Sequence, residues 1–152
     1  MTISPHTWKR LAAAAVAVLI IGAVGWYRAE RRHMTAYSTT RNLSQVVRTG
    51  IEDGVQPLAD LAANTITQSA GFGSSRSPAI LVVTNASVGA YLHQHGLSQP
   101  EDPWGTPYRV LCGPDPSQRS VRLHSTGTYV RITVESAGPD CAWGTSDDIR
   151  SH

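Results

Sequence analysis

Acidic side chains are concentrated in one short stretch near the end of the chain, residues 136–149. It contains Asp140, Asp147 and Asp148 together with hydroxyl side chains and two glycines. Ca²⁺ takes about 6 to 8 oxygen ligands from carboxylates and backbone carbonyls, and a loop rich in Gly and Pro can turn its carbonyls inward. The stretch therefore predicts a calcium loop, although its spacing is not that of an EF-hand. The alternative is an acidic, solvated turn that binds nothing.

The chain has two cysteines, Cys112 after an apolar strand-like run and Cys141 inside the acidic stretch. An even count downstream of a membrane signal favours a disulfide in an oxidising compartment. The alternative is two small apolar residues that do not pair. Two cysteines so far apart, with no histidine at metal spacing, make a poor zinc site.

Residues for catalysis are not assembled in any recognisable pattern. His93 and His95 are two residues apart, which places them on different faces of a helix and predicts solvated surface histidines. No serine or cysteine nucleophile stands beside a His and Asp set, and no glycine-rich phosphate loop is present. We therefore expect a protein that is not an enzyme and carries no organic cofactor.

An uncharged, almost wholly apolar run extends from Leu11 to Tyr27. A helix of this length spans about 25 Å, and the flanking Trp8 and Trp26 extend it toward the interfaces of a hydrocarbon core of about 30 Å. This predicts a single transmembrane anchor. The alternative is a signal peptide cleaved after the small residues 23–25. Charge does not decide the orientation, because Lys and Arg flank both ends of the run.

Length and charge place further limits on the function. The 152 residues, 41 % of them apolar, suffice for one domain with a modest core. Up to His33 five Lys and Arg stand against one Glu, a net charge of +4, so the rest of the chain carries −2 of the total of +2. A basic segment beside a membrane run explains this distribution, whereas a nucleic-acid-binding surface would need clustered Lys and Arg on the folded part.

The middle of the chain carries one helical stripe. From Leu43 to Ile66 apolar residues recur at steps of three or four, which predicts an amphipathic helix that packs against other elements. Asp53-Gly54 and Pro57 predict a kink or break, with a second helix resuming near Pro57.

The C-terminal third is typical of a sheet. Alternating residues predict strands at 108–112, 120–124 and 128–136, joined by turns into an antiparallel meander of three strands that the helix covers. The predicted class is α+β. The predicted organisation is an anchor with basic flanks at 1–33, a helical spine at 34–70, a variable linker region at 71–100, and a C-terminal sheet with a calcium loop at 101–152. Within the linker region residues 79–83 fit strand or helix equally, and 88–97 fit a short helix.

Two motifs carry a resemblance to a known family. Residues 102–108 read Asp-Pro-Trp-Gly-Thr-Pro-Tyr, and residues 136–149 read Ser-Ala-Gly-Pro-Asp-Cys-Ala-Trp-Gly-Thr-Ser-Asp-Asp-Ile. With an N-terminal membrane helix, a helical spine and a small sheet, the chain resembles the major pseudopilin of the type II secretion system. The resemblance implies a pilin-like fold and a single-pass protein of the inner membrane with its C-terminal domain in the periplasm. It also implies assembly with other pseudopilin-like subunits or secretion machinery through the N-terminal helices.

The resemblance also implies a structural Ca²⁺ in the loop after the last long strand. Carried over by position, Asp140, Asp147 and Asp148 would supply carboxylates, and Ser136 with nearby backbone carbonyls would complete the shell. Cys141 stands where the family usually has Gly.

The N-terminal helix departs from the family pattern. Gly25-Trp26 followed by Glu30 has the spacing of a prepilin peptidase site, but the apolar run precedes this glycine, whereas in the family it follows the cut. A second interpretation therefore stays open, an anchored extracytoplasmic binding module that has diverged and does not polymerise.

Overall fold

The computed structural model describes residues 5–70, 78–83, 88–97, 101–115, 117–118, 120–123 and 127–151. The chain forms two compact units, Met1–Met34 and Thr35–His152. Of the linker region predicted at 71–100, residues 71–77, 84–87 and 98–100 lie outside the described residues.

The predicted anchor lies within α1, which runs from Pro5 to Glu52. At 1.5 Å per residue its 48 residues extend about 72 Å. In the first unit every described side chain from Ala13 to Arg32 is exposed, including Leu19 and Ile21 at 71 % each. An 18-residue window of this helix has a mean hydropathy of 1.4. The helix is therefore long and apolar enough to span a membrane.

The predicted break in the helical stripe is confirmed. α1 ends at Glu52 and α2 runs from Leu58 to Ala70. Gly54 occupies the turn between them with φ +72°, which glycine adopts without the penalty that a Cβ brings. The described stripe residues of the second unit are buried or half-buried, and the core members are Leu43, Val47, Ile51, Leu58 and Ala62.

Gly50 lets three helices approach each other closely. A Cβ at this position would stand 2.6 Å from Leu58 Cδ1 and 2.9 Å from Tyr91 Cε1. Tyr91 belongs to α3, Ala90–Gln94, the short helix predicted in the linker region. His93 and His95 on and after this helix are exposed, as predicted.

The sheet confirms the α+β class but not the predicted strand count. Within the described residues it has five strands, all paired antiparallel: β1 (Ala79–Val82), β2 (Arg109–Pro114), β3 (Val121–Arg122), β4 (Tyr129–Ser136) and β5 (Ile149–Arg150). The order is β1-β2-β4-β3, with β5 also paired to β4, so the predicted three-stranded meander is wrong. The ambiguous run at 79–83 forms β1 because it pairs with β2, and β5 is too short to show any periodicity.

β4 organises the sheet. Val130, Ile132 and Val134 alternate along it and are at most 2 % exposed. They share one face with Val110 and Cys112 of β2, and this face joins the buried helix residues in a single core. On one side β4 pairs with β2 over six residues. On the other it pairs with β3 only at its start and with β5 only at its end.

Candidate metal site

The acidic loop begins and ends at one point of the sheet. β4 ends at Ser136, residues 137–148 form the loop, and β5 returns beside β4 with Ser136 opposite Ile149 and Glu135 opposite Arg150. Beyond β5, the amide of Ser151 donates to the carbonyl of Val134 at 2.9 Å and its hydroxyl accepts from the amide of Val134 at 2.8 Å. Both ends of the loop are therefore fixed by pairing with one strand.

Asp102 fastens the base of the loop to the turn before β2. Its Oδ1 accepts hydrogen bonds from the amides of Trp104 (3.0 Å) and Thr106 (2.9 Å), and its Oδ2 accepts from Ser136 Oγ at 2.7 Å. Asp102 is 5 % exposed, so these donors compensate a carboxylate that has left water. Sequence reasoning did not assign Asp102 to the site, although its motif carried the resemblance.

Ser136, a predicted ligand, is completely buried at this base. Its hydroxyl donates to Asp102 and accepts from the amide of Gly138 at 3.2 Å. The oxygen thus has two protein partners and supports the start of the loop.

Asp140 and Asp147, two of the predicted carboxylates, are brought together. The amide of Asp140 donates to Asp147 Oδ2 at 3.2 Å, and Thr145 Oγ1 donates to Asp147 Oδ1 at 2.5 Å. The Thr145 hydrogen bond is the main cause that lowers the pKa of Asp147, with contributions from the amide and side chain of Asp140. Asp140 Oδ1 accepts from the amide of Ala142 at 2.9 Å. These hydrogen bonds favour the ionised form of the Asp147 carboxylate, whose pKa they lower.

Asp148 is held separately from that pair. Its side chain is 2 % exposed, its Oδ2 accepts from the amide of Gly144 at 2.9 Å and lies 3.5 Å from Arg150 Nη2. Its Oδ1 is buried and has no hydrogen-bond partner in the described part of the chain. A buried carboxylate oxygen without a donor or cation is costly, about 1–3 kcal/mol or more when charged. A cation bound at Asp148 Oδ1 would compensate this oxygen.

The loop offers the type of oxygen ligand that a hard cation binds, but the structure brings only some of these ligands together. It offers carboxylates and a backbone that folds back on itself, since a Cβ at Gly138 (φ +70°) would collide with the carbonyl oxygen of Asp147. Across the described ranges, however, no three His, Cys, Asp or Glu side chains are gathered as metal ligands. Asp140 and Asp147 contact each other, whereas Asp148 faces Gly144 and Arg150.

The predicted disulfide is not formed. Cys112 and Cys141 are both thiols. Cys112 lies on the core face of β2 opposite Ile132 and is 0 % exposed, whereas Cys141 is exposed in the loop with φ 56°, and its Sγ lies 3.9 Å from the carbonyl oxygen of Trp104. The two side chains therefore occupy different environments, one in the core and one at the solvent.

The sequence did not predict a cluster of charged side chains next to the loop, formed by Glu135, Arg109 and Arg150. Glu135, 3 % exposed, receives Arg109 Nη2 at 2.6 Å on Oε2 and Arg150 Nε at 2.7 Å on Oε1. Arg109 also lies 4.2 Å from the ring centroid of Trp143 in the loop, a cation–π contact. The strand register places Arg109 of β2 and Arg150 of β5 opposite Glu135, which the sequence of β4 alone does not reveal.

Comparisons with models of protein families, with curated proteins and with solved structures found no match for this chain.

Proposed function

We propose that the chain is a membrane-anchored, pseudopilin-like structural subunit or accessory of a type II secretion-like system, with a C-terminal loop stabilised by Ca²⁺. The observation that carries the calcium part of the proposal is Asp148 Oδ1, a buried carboxylate oxygen with no hydrogen-bond partner among the described residues, in the loop that follows the longest described strand. In this proposal the chain is a single-pass protein of the inner membrane and its second unit is periplasmic.

α1 supports the membrane part of the proposal. Its apolar side chains between Val16 and Tyr27 are 45 to 71 % exposed, a contiguous surface that water would disfavour. Lipid tails or the matching helix of another subunit would cover it. Both are what a pseudopilin-like anchor contacts.

Ca²⁺ would act by neutralising carboxylates that otherwise repel one another. Asp140, Asp147 and Asp148 would hold it, together with backbone carbonyls of the loop. Ser136 is the least suited of the predicted ligands, because its hydroxyl already has two protein partners. Binding to the folded loop alone would stabilise it by mass action, about 2.7 kcal/mol at a hundredfold excess over Kd.

The calcium proposal is tested by melting the full chain in a non-ionic detergent with Ca²⁺, with Mg²⁺ and with a chelator. We expect a rise in Tm with Ca²⁺ that Mg²⁺ does not reproduce. Asp148→Asn keeps the shape of the side chain and should abolish that rise, while in chelator it should cost no more than the weakened ion pair with Arg150. Asp60→Asn, an exposed carboxylate of α2, is the matched control and should retain the rise. No selective effect of Ca²⁺, or equal loss by Asp148→Asn in both buffers, would refute the site.

The two thiols provide a test of orientation. Cys141 is exposed and Cys112 is buried, so a membrane-impermeant maleimide should label only Cys141. Labelling of intact spheroplasts, lost in Cys141→Ser, is expected for a periplasmic second unit. Labelling that requires lysis would place the unit in the cytoplasm and contradict the proposal.

A second candidate, an anchored binding module that does not polymerise, is favoured by one observation. Gly25, Trp26 and Glu30 lie within the helical span of α1, with the apolar run before the glycine. Co-expression with a prepilin peptidase followed by N-terminal sequencing distinguishes the two. A new N-terminus at Trp26 supports the pseudopilin, and an intact chain that does not crosslink to copies of itself in the membrane supports the module.

A further inference from the structure

A groove of about 550 Å³ lies within the second unit beside β4. β3 pairs with β4 only at residues 129–130 and β5 only at 135–136, so the edge between them is not covered by either strand. The residues that line the groove include Ile132 and Thr133 from this interval, Ser151 beyond β5, and Arg48 from α1.

The main chain of Ile132 faces this interval. In an antiparallel strand, successive residues direct their amide and carbonyl groups to opposite neighbours. Val134 exchanges hydrogen bonds with Ser151 on the β5 side, so Ile132, two residues earlier, presents its amide and carbonyl on the same side. The pairing registers of β3 and β5 both stop short of Ile132.

The groove is positively charged. Three arginines line it, Arg48, Arg131 and Arg150, against one carboxylate, Glu135. Glu135 is already shared between Arg150 and Arg109. Arg131 is 62 % exposed on its side chain and lies 3.4 Å from Asp115. The groove thus has an excess of cationic donors over acceptors.

Arg48 is the residue in greatest need of a ligand. Its Nε is buried and has no hydrogen-bond partner among the described residues. A guanidinium nitrogen in this state loses hydration without compensation. Arg48 lines the groove, and a ligand with a planar pair of oxygens suits its guanidinium, because guanidinium and carboxylate groups match in a bidentate geometry.

We propose that this groove binds an organic carboxylate that carries an apolar substituent, with Arg48 as its principal partner. The walls contributed by Leu111, Pro78 and Pro114 suit the apolar substituent, and the volume is in the range of small-ligand sites, about 300–1,000 Å³. A peptide C-terminus and a free carboxylic acid share this chemistry. The inference goes beyond the proposed function and does not depend on Ca²⁺.

The test is isothermal titration of the full chain in a non-ionic detergent with four probes. They are acetyl-Ala-Leu, its C-terminal amide, 4-methylpentanoate and inorganic phosphate. The two carboxylates should bind, and the amide and phosphate should bind at least tenfold more weakly. Tighter binding of the dipeptide by tenfold assigns the site to peptide C-termini, and equal binding assigns it to free acids.

Variants assign the binding to Arg48. Arg48→Gln should weaken carboxylate binding at least tenfold, whereas Arg41→Gln, the same change at an exposed position of α1, should leave it unaltered. The Nε–Hε resonance of Arg48 in the unsubstituted chain provides a second readout that does not depend on how the variant folds, and it should shift on titration with acetyl-Ala-Leu. Absence of carboxylate binding, equal affinity for the amide or phosphate, or an unmoved Arg48 resonance would each overturn the proposal.

Discussion

The hydroxyl of Ser136 donates a 2.7 Å hydrogen bond to Oδ2 of Asp102, and both side chains are at least 95 % buried. The bond joins the last residue of β4 to the turn that precedes β2. These residues belong to the two motifs that carry the pseudopilin resemblance, so the pair gives a physical reason for both motifs to occur in one chain. One motif supplies a buried carboxylate and the other supplies the donor that compensates it.

Ser136→Ala is expected to destabilise the second unit by about 1–3 kcal/mol, because it leaves Asp102 Oδ2 buried without this donor. Urea unfolding of the full chain in detergent, followed by near-UV circular dichroism, measures the loss. Ser38→Ala, which removes an exposed hydroxyl on α1, is the control and should change stability by less than about 0.5 kcal/mol. The Ca²⁺-induced rise in Tm should persist in Ser136→Ala. If the variant folds but shows no such rise, Ser136 is a ligand of the ion.

Gly138→Ala should cost more than Gly144→Ala. Both glycines have positive φ, +70° and +88°, where a Cβ costs about 1–2 kcal/mol. Only at Gly138 would the new Cβ also collide with the main chain of Asp147, whereas at Gly144 nothing lies within 4 Å. We expect an extra loss of about 1–3 kcal/mol at Gly138 in urea unfolding. Equal losses at the two positions would show that the loop does not close on Asp147 as described.

Glu135→Gln should be among the most damaging single changes to the sheet. Glu135 is 3 % exposed between Arg109 and Arg150, and removal of its charge takes the shared carboxylate from Arg109 and leaves Arg150 with its longer contact to Asp148. We expect a loss of about 3 kcal/mol in urea unfolding. Glu101→Gln, at an exposed position, should change stability by less than about 0.5 kcal/mol. In a double-mutant cycle of Arg109→Gln and Glu135→Gln, the losses of unfolding free energy should be strongly coupled. Additive losses would show that the two side chains do not interact.

The raised pKa of Tyr108 predicts that the folded protein loses stability in alkali. Burial raises the pKa of its phenol to about 12, and the charge of Asp102 adds to this, while a hydrogen bond with the side chain of Thr39 acts in the opposite direction. Since the folded state holds the proton more tightly than the unfolded chain, this stabilisation is complete below pH of about 10 and declines toward pH 12. Tyr108→Phe should flatten that decline in Tm, whereas Tyr37→Phe at an exposed position should not. An unchanged decline in Tyr108→Phe would assign the alkaline loss to other groups.

Much of the fold is predictable from local patterns. The stripe from Leu43 to Ile66 and the breakers Gly54 and Pro57 correctly predicted two helices and the break between them, because side-chain period and backbone freedom are properties of consecutive residues. The strand count is not predictable in this way. β1 is recognisable only by its partner, and β5 contains only two residues, so pairing across the sheet decides both.

For the candidate site, composition predicted where the carboxylates concentrate, but not which of them lie together and which lie apart. Asp147 and Asp148 are adjacent in sequence, yet the first is bound by Thr145 and Asp140 and the second by Gly144. Which way each side chain turns depends on the fold of the loop. The coverage of Glu135 by two arginines likewise depends on strand register, which one sequence does not reveal.

The attachment of both loop ends to β4 has a consequence for dynamics. Because Ser136 is fastened to Asp102 and Ser151 to Val134, residues 137–148 can open and close as a local unit while the sheet stays intact. Amide hydrogen exchange should then fall into two classes, with loop amides exchanging through local opening and β4 amides through global unfolding. A ligand of the loop would slow the exchange of the loop amides far more than that of the β4 amides. Exchange rates therefore report binding to the loop more directly than the Tm of the whole chain does.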